Sequence, residues 1–424
     1  MNISSLNKIS FIDYLFILML IVFAGSANNF TRSLQTWDEI LGVILPVALT
    51  SYLSLTNKIK ISKEFLYLIM GFLWYSLMLA FKFEELHPRF IGVYLISFYI
   101  SYITISHFKA YFFILYHNFI YIFCVISLCF WVTNQILPNE LNSIMQMLSS
   151  MDTERLNIES NILIYTINSK EISDLTNTSF LGFSVTRNSG FAWEPGAFSV
   201  FINLAIFVNL IVYKFRLKRN LKLMVLCFTL ITTFSTTGYG IFILLILFYT
   251  YNQKVKYKLI LTPLAIIIGI YITTLSFMTD KIIDLSLQDT DEQIENSILY
   301  DTQYAPQRIT SFTIDYKDFL NNPILGYGGH QEERWTNKLG AQIASISGIG
   351  KLLAKFGMVG TIFFFLMLFK SSKIFTEIFT FKGWIFPFLI FLMTSFSYSI
   401  IEHPLLICFW MLAFFLPKKQ KNNI

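Results

Sequence analysis

Runs of about 20 apolar residues recur along this chain, and short polar segments separate them. A helix of that length crosses the hydrocarbon core of a bilayer and satisfies its own backbone hydrogen bonds there. Only 14% of the 424 residues are charged, whereas a water-soluble domain carries roughly 25% charged residues. The sequence therefore predicts an all-α integral membrane protein.

The apolar runs predict about twelve transmembrane helices. Their predicted starts lie near Phe11, Glu39, Phe65, Phe90, Tyr111, Phe198, Leu223, Tyr239, Lys258, Leu352, Trp384 and Pro404. Hydropathy alone leaves residues 229–251 ambiguous, because Ser235-Thr236-Thr237-Gly238 separates two apolar halves. One long helix or two short helices would both fit this stretch.

The distribution of basic residues favours two helices. The basic clusters at 214–222 and 254–258 lie on the same side of the membrane only if the ambiguous stretch crosses it twice. In that arrangement more than half of the 32 Lys and Arg residues lie on one side, as the positive-inside rule requires of the cytoplasm. Both termini are then predicted to be cytoplasmic, and the net charge of +6 gives no reason to expect a nucleic acid partner.

Two loops are far longer than a connection needs, and both are predicted to be extracytoplasmic. The predicted order is N-terminal transmembrane helices (1–137), a first extracytoplasmic loop (138–195), central transmembrane helices (196–278), a second extracytoplasmic loop (279–350), and C-terminal transmembrane helices with a basic tail (351–424). The four cysteines all fall in apolar runs, so no disulfide framework or metal-ligand spacing is visible. The sequence predicts neither a metal nor a cofactor.

The first candidate site lies where the first large loop meets a predicted helix. It has the sequence Arg187-Asn188-Ser189-Gly190-Phe191-Ala192-Trp193-Glu194-Pro195-Gly196. Gly190 allows backbone to approach a ligand, and Pro195 suits the first turn of a helix. Glu194 at a helix start is either a functional carboxylate or a structural cap that the helix dipole stabilises.

The second candidate site lies in the second large loop. It comprises Arg308 and the stretch from Asn322 through Gly326, Tyr327 and Gly328 to His330. The Asn-Pro and Gly-rich runs predict turns, and a purely structural turn is favoured for this stretch by roughly two to one. His330 is either a solvated side chain or a base or ligand.

What favours a functional interpretation is the predicted position of Arg187 and Arg308 outside the membrane, where the positive-inside rule does not account for them. Guanidinium groups bind phosphate oxygens in bidentate fashion. Glu402-His403 at a later helix start are lesser candidates that either cap the last helix or line the site. Asp13, inside the first span, is expected to reach water at the inner interface.

Three sequence motifs, in this order along the chain, resemble those of a known family. They are Arg-x-x-Gly-x-x-x-Glu-Pro at 187–195, Ser-Thr-Thr-Gly-Tyr at 235–239 and Asn-Pro-Ile-Leu-Gly-Tyr-Gly at 322–328. In these the chain resembles the O-antigen polymerase and ligase superfamily, and the Wzy-type polymerases in particular. The similarity covers roughly residues 180–370, and the amino-terminal half contributes only hydropathy.

The resemblance implies an inverting glycosyl transfer at the outer face of the bacterial inner membrane, without a nucleotide sugar or a required metal. The donor would be a glycan on undecaprenyl pyrophosphate. A polymerase passes it to a second lipid-linked repeat unit, and a ligase passes it to lipid A core. The implied partners are these lipid-linked oligosaccharides, membrane lipids and a chain-length regulator.

The resemblance also implies roles for individual residues. Arg187 and Arg308 would hold the donor pyrophosphate, and Glu194 or His330 would activate the acceptor hydroxyl. The implied substrate-binding residues are Gly190, Asn322, Gly326, Tyr327, Gly328 and His403. Because the Arg-x-x-Gly-x-x-x-Glu-Pro element is intact, polymerase is favoured over ligase.

Two other classes of protein remain as alternatives. A lipid-linked oligosaccharide flippase or other twelve-helix transporter would build its site near the midplane of the membrane from paired repeats. The sequence shows no internal repeat and few intramembrane charges, which favours chemistry at the outer surface. A non-catalytic partner in a membrane assembly is the third possibility, and the arginine-containing loops make it less attractive.

Overall fold

The structure is a computed structural model. It describes residues 10–25, 38–137, 139–141, 159–161, 165–168, 177–180, 183–192, 194–254, 258, 262–263, 267, 294–295, 298–299, 308–341, 343 and 346–414. The predicted span that starts at Lys258 lies largely outside the described residues, as do most of residues 279–307 and the basic tail.

Helices make up most of the described chain. They are α1 (Phe11–Gly25), α2 (Asp38–Thr56), α3 (Lys63–Phe83), α4 (Pro88–Phe108), α5 (Tyr111–Ile136), α6 (Pro195–Val212), α7 (Leu221–Thr232), α8 (Thr236–Tyr251), α9 (Arg308–Asn321), α10 (Trp335–Lys338), α11 (Gly348–Phe379), α12 (Ile385–Ser397) and α13 (Pro404–Met411). Short 3₁₀ turns follow at Gln331–Glu333, Ile400–Glu402 and Leu412–Phe414.

Two short antiparallel hairpins lie in the first large loop, where the sequence analysis predicted no strands. The strands are β1 (Glu159–Asn161) with β2 (Tyr165–Asn168), and β3 (Asn177–Phe180) with β4 (Phe183–Thr186). Trp131 near the end of α5 donates its indole N–H to the carbonyl of Thr186 (2.6 Å), so the second hairpin ends against the helices.

Among the described residues five helices are long and apolar enough to cross a membrane: α3, α4, α5, α6 and α11. Six shorter apolar helices accompany them, at Phe11–Gly25, Ile44–Thr56, Leu221–Thr232, Thr236–Tyr251, Ile385–Ser397 and Pro404–Phe414. The prediction of a mainly helical, membrane-embedded protein is confirmed. Apart from the span at Lys258, every predicted span coincides with one of these helices.

The ambiguous stretch is divided into two helices, as the basic residues predicted. Helix α7 ends at Thr232 and α8 begins at Thr236. The hydroxyl of Ser235 caps α8 by accepting a hydrogen bond from the backbone N–H of Gly238 (3.1 Å). A side-chain cap of this kind satisfies one of the free N–H groups at a helix start.

Helix α6 is the most deeply buried helix of the described bundle, since every residue from Pro195 to Ile211 is buried. Its Ser199 hydroxyl donates to the hydroxyl of Ser235 (3.0 Å), and its Asn203 amide donates to the carbonyl of Gly238 (2.9 Å). A Cβ on Gly238 would lie 2.6 Å from the Cβ of Ser199. The turn between α7 and α8 is therefore held against α6 by buried polar contacts, a common means of helix association in membranes.

Polar contacts between helix termini divide the bundle into two ends. At one end, the Tyr398 hydroxyl after α12 donates to the carbonyl of Ala24 near the end of α1 (2.6 Å). At the other end, Asn252 after α8 donates to the carbonyl of Lys382 before α12 (3.2 Å). Helix α12 therefore runs from the end of the bundle that holds the end of α8 to the end that holds the end of α1.

Asp13 differs from its expected position. Its carboxylate is buried, and His107 at the end of α4 approaches it at 2.8 Å. Ser10 donates both its backbone N–H and its hydroxyl to the same carboxylate. The aspartate is thus paired inside the bundle rather than extended to water, since a buried carboxylate requires hydrogen-bond donors.

Helix α11 is broken at Gly357, where φ is +60° and ψ is −165°. Residues 322–328, here called the docking loop, fill the break. Four backbone hydrogen bonds join the two segments: Tyr327 N to Ala354 O (3.0 Å), Gly328 N to Lys355 O (2.8 Å), Met358 N to Pro323 O (2.8 Å) and Val359 N to Ile324 O (3.1 Å). The loop thus pairs the N–H and C=O groups that the kink exposes.

Two glycines of the docking loop are required by this contact. Gly326 has a φ of +71°, and a Cβ there would lie 2.5 Å from the backbone carbonyl of Lys355. Gly328 has a φ of +61°, and its Cβ would lie 2.5 Å from Leu79 on α3. The interpretation of this stretch as a structural turn accounts for both residues.

We expect Gly326→Ala to lower the melting temperature of the purified protein much more than Gly340→Ala. Both positions have positive φ, which costs an L-residue about 1–2 kcal/mol. Among the described residues, nothing lies within 4 Å of a Cβ on Gly340, so only Gly326→Ala adds overpacking against them, which costs a further ~1–3 kcal/mol. Equal melting temperatures of the two variants would contradict the contact between the docking loop and α11.

Candidate functional site

The first candidate site is built on a contact between Glu194 and Arg308. Glu194 has extended backbone and directly precedes α6, whose first residue is Pro195. Arg308 is the first residue of α9; its Nη2 donates to Oε1 of Glu194, and its Nε donates to the carbonyl of Ser397 (3.2 Å). The site therefore joins the start of α6, the start of α9 and the end of α12.

Gly196 makes room for this pair. A Cβ on Gly196 would lie 2.6 Å from Nη2 of Arg308 and 3.0 Å from Oε1 of Glu194. In the sequence, Gly196 stands out only as the last residue of a motif. Its proximity to the candidate carboxylate of Glu194 was the signal available, but the arginine that occupies the space is more than 100 residues away.

Arg187 completes the group, which we call the arginine site (Arg187, Glu194 and Arg308). Its Nε donates to the carbonyl of Thr233 (3.2 Å). The pKa of Arg187 is lowered to about 10, chiefly by burial; the charge of Glu194 opposes this change and that of Arg308 contributes to it. Arg187 remains protonated at pH 7. The arginine site thus contains two cations and one carboxylate.

The backbone between Arg187 and α6 is fixed by buried contacts. The amide of Asn188 donates to the hydroxyl of Thr232 (3.0 Å) and accepts from the backbone N–H of Gly190 (3.0 Å). Gly190 has a φ of +52°, and a Cβ there would lie 2.4 Å from the ring of Phe198. The structure gives Gly190 a role in this turn, and contact with a substrate stays a prediction.

A second polar group, here called the lysine cluster, lies at the start of α11. Glu402 bonds to Nζ of Lys351 (2.7 Å) and to Nζ of Lys355 (3.4 Å). Burial raises the pKa of Glu402, but the two lysines outweigh it and lower the pKa to about 2. Neither lysine was predicted from the sequence, although an i, i+4 pair at the start of a span was the available signal.

His403 lies beside the lysine cluster and begins α13. Its ring lies 4.9 Å from that of Tyr398, centroid to centroid. Burial lowers the pKa of His403 to about 4, although Glu402 opposes this. The ring is therefore neutral at pH 7. The structure brings His403 next to Glu402, and its predicted contact with substrate is untested.

The remaining residues of the second candidate stretch have structural partners. Asn322 accepts a hydrogen bond from Nζ of Lys82 at the end of α3 (2.5 Å). Tyr327 is buried beneath the guanidinium of Arg334, which lies 5.9 Å from its ring centroid. Arg334 in turn donates to Asp318 on α9 (2.9 Å). Sequence reasoning missed Arg334 and Asp318, because nothing in their spacing indicates a buried pair.

His330 lies in a different group from the arginine site. In the described part of the chain it contacts the rings of Phe83 (4.4 Å) and His87 (4.3 Å) and approaches Oε1 of Glu332 at 3.2 Å. Burial and His87 lower the pKa of His330, and Glu332 opposes them. The structure therefore brings together Arg187, Glu194 and Arg308, and it does not bring His330 to them.

Comparison with known proteins adds no relative. No protein-family model, curated protein or solved structure matches this chain. A function must therefore be inferred from the geometry of the site and from the sequence motifs.

We expect Glu402→Gln to lower the free energy of unfolding at pH 7 by on the order of 3 kcal/mol, since each unit of pKa shift corresponds to about 1.4 kcal/mol. A carboxylate with a lowered pKa stabilises the fold above its unfolded pKa, and the stabilisation is lost as the pH falls toward its folded value. The difference from wild type should therefore shrink between pH 7 and pH 3. Thermal melts at several pH values measure it.

The matched control is Glu377→Gln, which changes an exposed carboxylate on α11. Its melting temperature should follow that of the wild-type protein at every pH. A gap between Glu402→Gln and wild type that stays constant down to pH 3 would show that the ion pairs with Lys351 and Lys355 do not stabilise the fold.

Proposed function

We propose that this protein is a polysaccharide polymerase of the bacterial inner membrane. It transfers a glycan from undecaprenyl pyrophosphate to a lipid-linked repeat unit on the outer face of the membrane. The observation that carries the proposal is the arginine site, where Arg308 pairs with Glu194 at the start of α6 and the charge of Arg187 lies close enough to interact with both. The resemblance of the three motifs to Wzy-type polymerases supplies the reaction.

The charges of the arginine site suit a pyrophosphate group. Two guanidinium groups and one carboxylate leave an excess positive charge, and the N-terminal end of α6 adds a partial positive charge. Bidentate hydrogen bonds from arginine to phosphate are strong and directional. The donor pyrophosphate would bind between Arg187 and Arg308, and the same residues would stabilise it as it leaves.

The proposed reaction is a single displacement at the anomeric carbon. The acceptor hydroxyl attacks that carbon, and Glu194 takes its proton as general base. The bond between the anomeric carbon and the pyrophosphate oxygen breaks, and undecaprenyl pyrophosphate leaves with both electrons of that bond. The stereochemistry at the anomeric carbon is inverted. Arg308 pairs with Glu194, and the pyrophosphate would take the place of the carboxylate at Arg308 and free Glu194 to accept the proton.

The proposal includes a topology of twelve spans with both termini in the cytoplasm. Two observations support this topology. The end of α12 meets the starts of α6 and α9 through Arg308, as the alternating order of twelve spans requires. The basic segment between α6 and α7 lies at the opposite end of α6, as the positive-inside rule requires of a cytoplasmic loop.

A transporter fits these observations less well. The arginine site lies at helix termini, whereas transporters bind their substrates near the midplane between repeats. Between polymerase and ligase, the choice rests on the Arg-x-x-Gly-x-x-x-Glu-Pro element, four of whose positions, Arg187, Gly190, Glu194 and Pro195, belong to or directly shape the site.

We expect a membrane-impermeant maleimide applied to intact cells to label Leu339→Cys and not Lys218→Cys. Both positions are exposed, so accessibility from one side of the membrane decides the result. The experiment requires a Cys129→Ser background because Cys129 is exposed. Labelling of Lys218→Cys from outside, or failure to label Leu339→Cys, would contradict the topology.

We expect Arg187→Ala and Arg308→Ala each to lower chain extension by about 100-fold or more, the usual loss when a group that stabilises developing negative charge is removed. Glu194→Gln should lower it by at least about 100-fold because the general base is lost. Arg308→Lys should also be impaired because an ammonium lacks the planar fork. Electrophoresis of the surface glycan, with quantification of the protein in the membrane, measures both effects. Arg216→Ala, which changes an exposed arginine at the opposite end, should have wild-type chains.

The same gel separates the candidate functions. A polymerase defect leaves a single repeat unit attached to the core, whereas a ligase defect leaves the core without glycan. Chains of normal length in Arg187→Ala and Arg308→Ala, at normal protein level, would show that neither arginine takes part in polymerisation.

A further inference from the structure

Two histidines and two glutamates from distant parts of the chain meet at a second place, here called the histidine cluster. Glu85 and His87 lie between α3 and α4, and His330 and Glu332 follow the docking loop. One nitrogen or oxygen atom of each residue lies within 4.8 Å of the others. His330 Nδ1 is 3.2 Å and His87 Nε2 is 3.8 Å from Oε1 of Glu332.

Hydrogen bonding within the protein does not satisfy this cluster. Nε2 of His87 is buried and has no hydrogen-bond partner among the described residues. Buried polar atoms without a partner are rare in folded proteins and call for a ligand, water or ion. A small cavity is lined by Glu85, His87 and His330 together with Ser76 and Leu79. Three of the four residues of the cluster therefore border one space, and one of them carries an imidazole nitrogen without a partner among the described residues.

The two segments are held together so closely that the donors are positioned in advance. A Cβ on Gly329 would lie 2.9 Å from Cβ of His87 and 2.8 Å from Cβ of Phe90. His330 is buried between the rings of Phe83 and His87. The rings therefore have little rotational freedom, while Glu85 and Glu332 are exposed and give an ion a path from solvent.

We propose that Glu85, His87, His330 and Glu332 form a binding site for one divalent transition-metal ion, with Zn²⁺ the best match. Two imidazole nitrogens and two carboxylate oxygens form a ligand set that suits zinc. Ligands at about 2.0–2.1 Å in a tetrahedron are ~3.3 Å apart. Two of the donor distances, 3.2 and 3.8 Å, approach that value, so small side-chain movements complete the geometry.

A metal at this position would link the connection between α3 and α4 to the segment that follows the docking loop. His330 would then be a metal ligand and not the general base, which leaves Glu194 as the base of the proposed reaction. The inference stands on the geometry of the four donors and is independent of the proposed glycosyl transfer. Sequence spacing gave no sign of it, because the two pairs of ligands are more than 240 residues apart.

The experiment uses the full-length protein, purified with an affinity tag that contains no histidine and stripped of metal. Competition for Zn²⁺ against a chromophoric chelator measures affinity and stoichiometry. Wild type should bind one Zn²⁺ per chain with submicromolar affinity. His330→Ala, His87→Ala and Glu332→Gln should each weaken binding by at least about 100-fold, since loss of a ligand exceeds the 10–100-fold effect of losing a ligand's supporting partner.

Matched controls change neighbouring carboxylates that are not in the cluster. The control variants are Glu84→Gln and Glu333→Gln. Glu84 is next to Glu85 in the sequence, and Glu333 is next to Glu332 but pairs with Lys338. Both variants should bind Zn²⁺ like wild type. A general loss of surface charge would affect all three glutamate variants equally, so weakening in Glu84→Gln and Glu333→Gln equal to that in Glu332→Gln would overturn the proposal.

Two further readouts do not depend on the variants folding well. Co²⁺ bound to wild type should give the strong visible absorption of a tetrahedral ion, and Zn²⁺ should raise the melting temperature of wild type, since a ligand that binds the folded state stabilises it. Wild-type protein that binds no Zn²⁺ at micromolar concentration would overturn the proposal. Loss of chain extension in the arginine variants would be unaffected by that result.

Discussion

The fold depends on how the break in α11 is filled. A kink at Gly357 leaves backbone N–H and C=O groups without partners inside the helix, and in a membrane each would cost several kcal/mol. The docking loop supplies those partners through four backbone hydrogen bonds. It lies between α9, which carries Arg308, and the segment that carries His330. The positions of Arg308 and His330 therefore depend on the hydrogen bonds between the docking loop and the broken helix α11.

Two charged groups of the structure, the arginine site and the lysine cluster, share one electrostatic pattern. The arginine site and the lysine cluster each contain two cations and one carboxylate. A buried carboxylate is stable only if cations compensate for lost hydration, and Glu402 with its lowered pKa meets this condition. Both groups attach to the connection between α12 and α13, through the carbonyl of Ser397 and through Glu402.

The sequence predicted what depends on local pattern. Apolar runs located the membrane helices, and the lysines predicted the turn at Ser235 that the structure contains. Pro195 correctly indicated the start of a helix directly after Glu194. These features are encoded within about 20 residues, which is the range over which hydropathy and capping act.

The sequence did not predict what depends on pairing between distant segments. Gly357 lies in an apolar run, where glycine is common in membrane helices, so nothing marked it as a break. His87 lies in a short connection and has no local pattern, yet it contacts His330. The two strand pairs of the first loop were missed as well, because strands of three or four residues lack enough alternation to be recognised.

The pair of Arg308 with Glu194 also determines what a bound phosphate would have to change. Nε of Arg308 is held by the carbonyl of Ser397 (3.2 Å), so the guanidinium is anchored on one side. Only its terminal nitrogens, one of which bonds to Glu194, would reorient toward an anion. Because α9 is fixed through the docking loop, no helix has to move for this exchange. A site whose charged groups are held in advance loses little entropy on binding. In the proposed reaction, phosphate would draw Arg308 away from Glu194 and release the carboxylate to accept a proton.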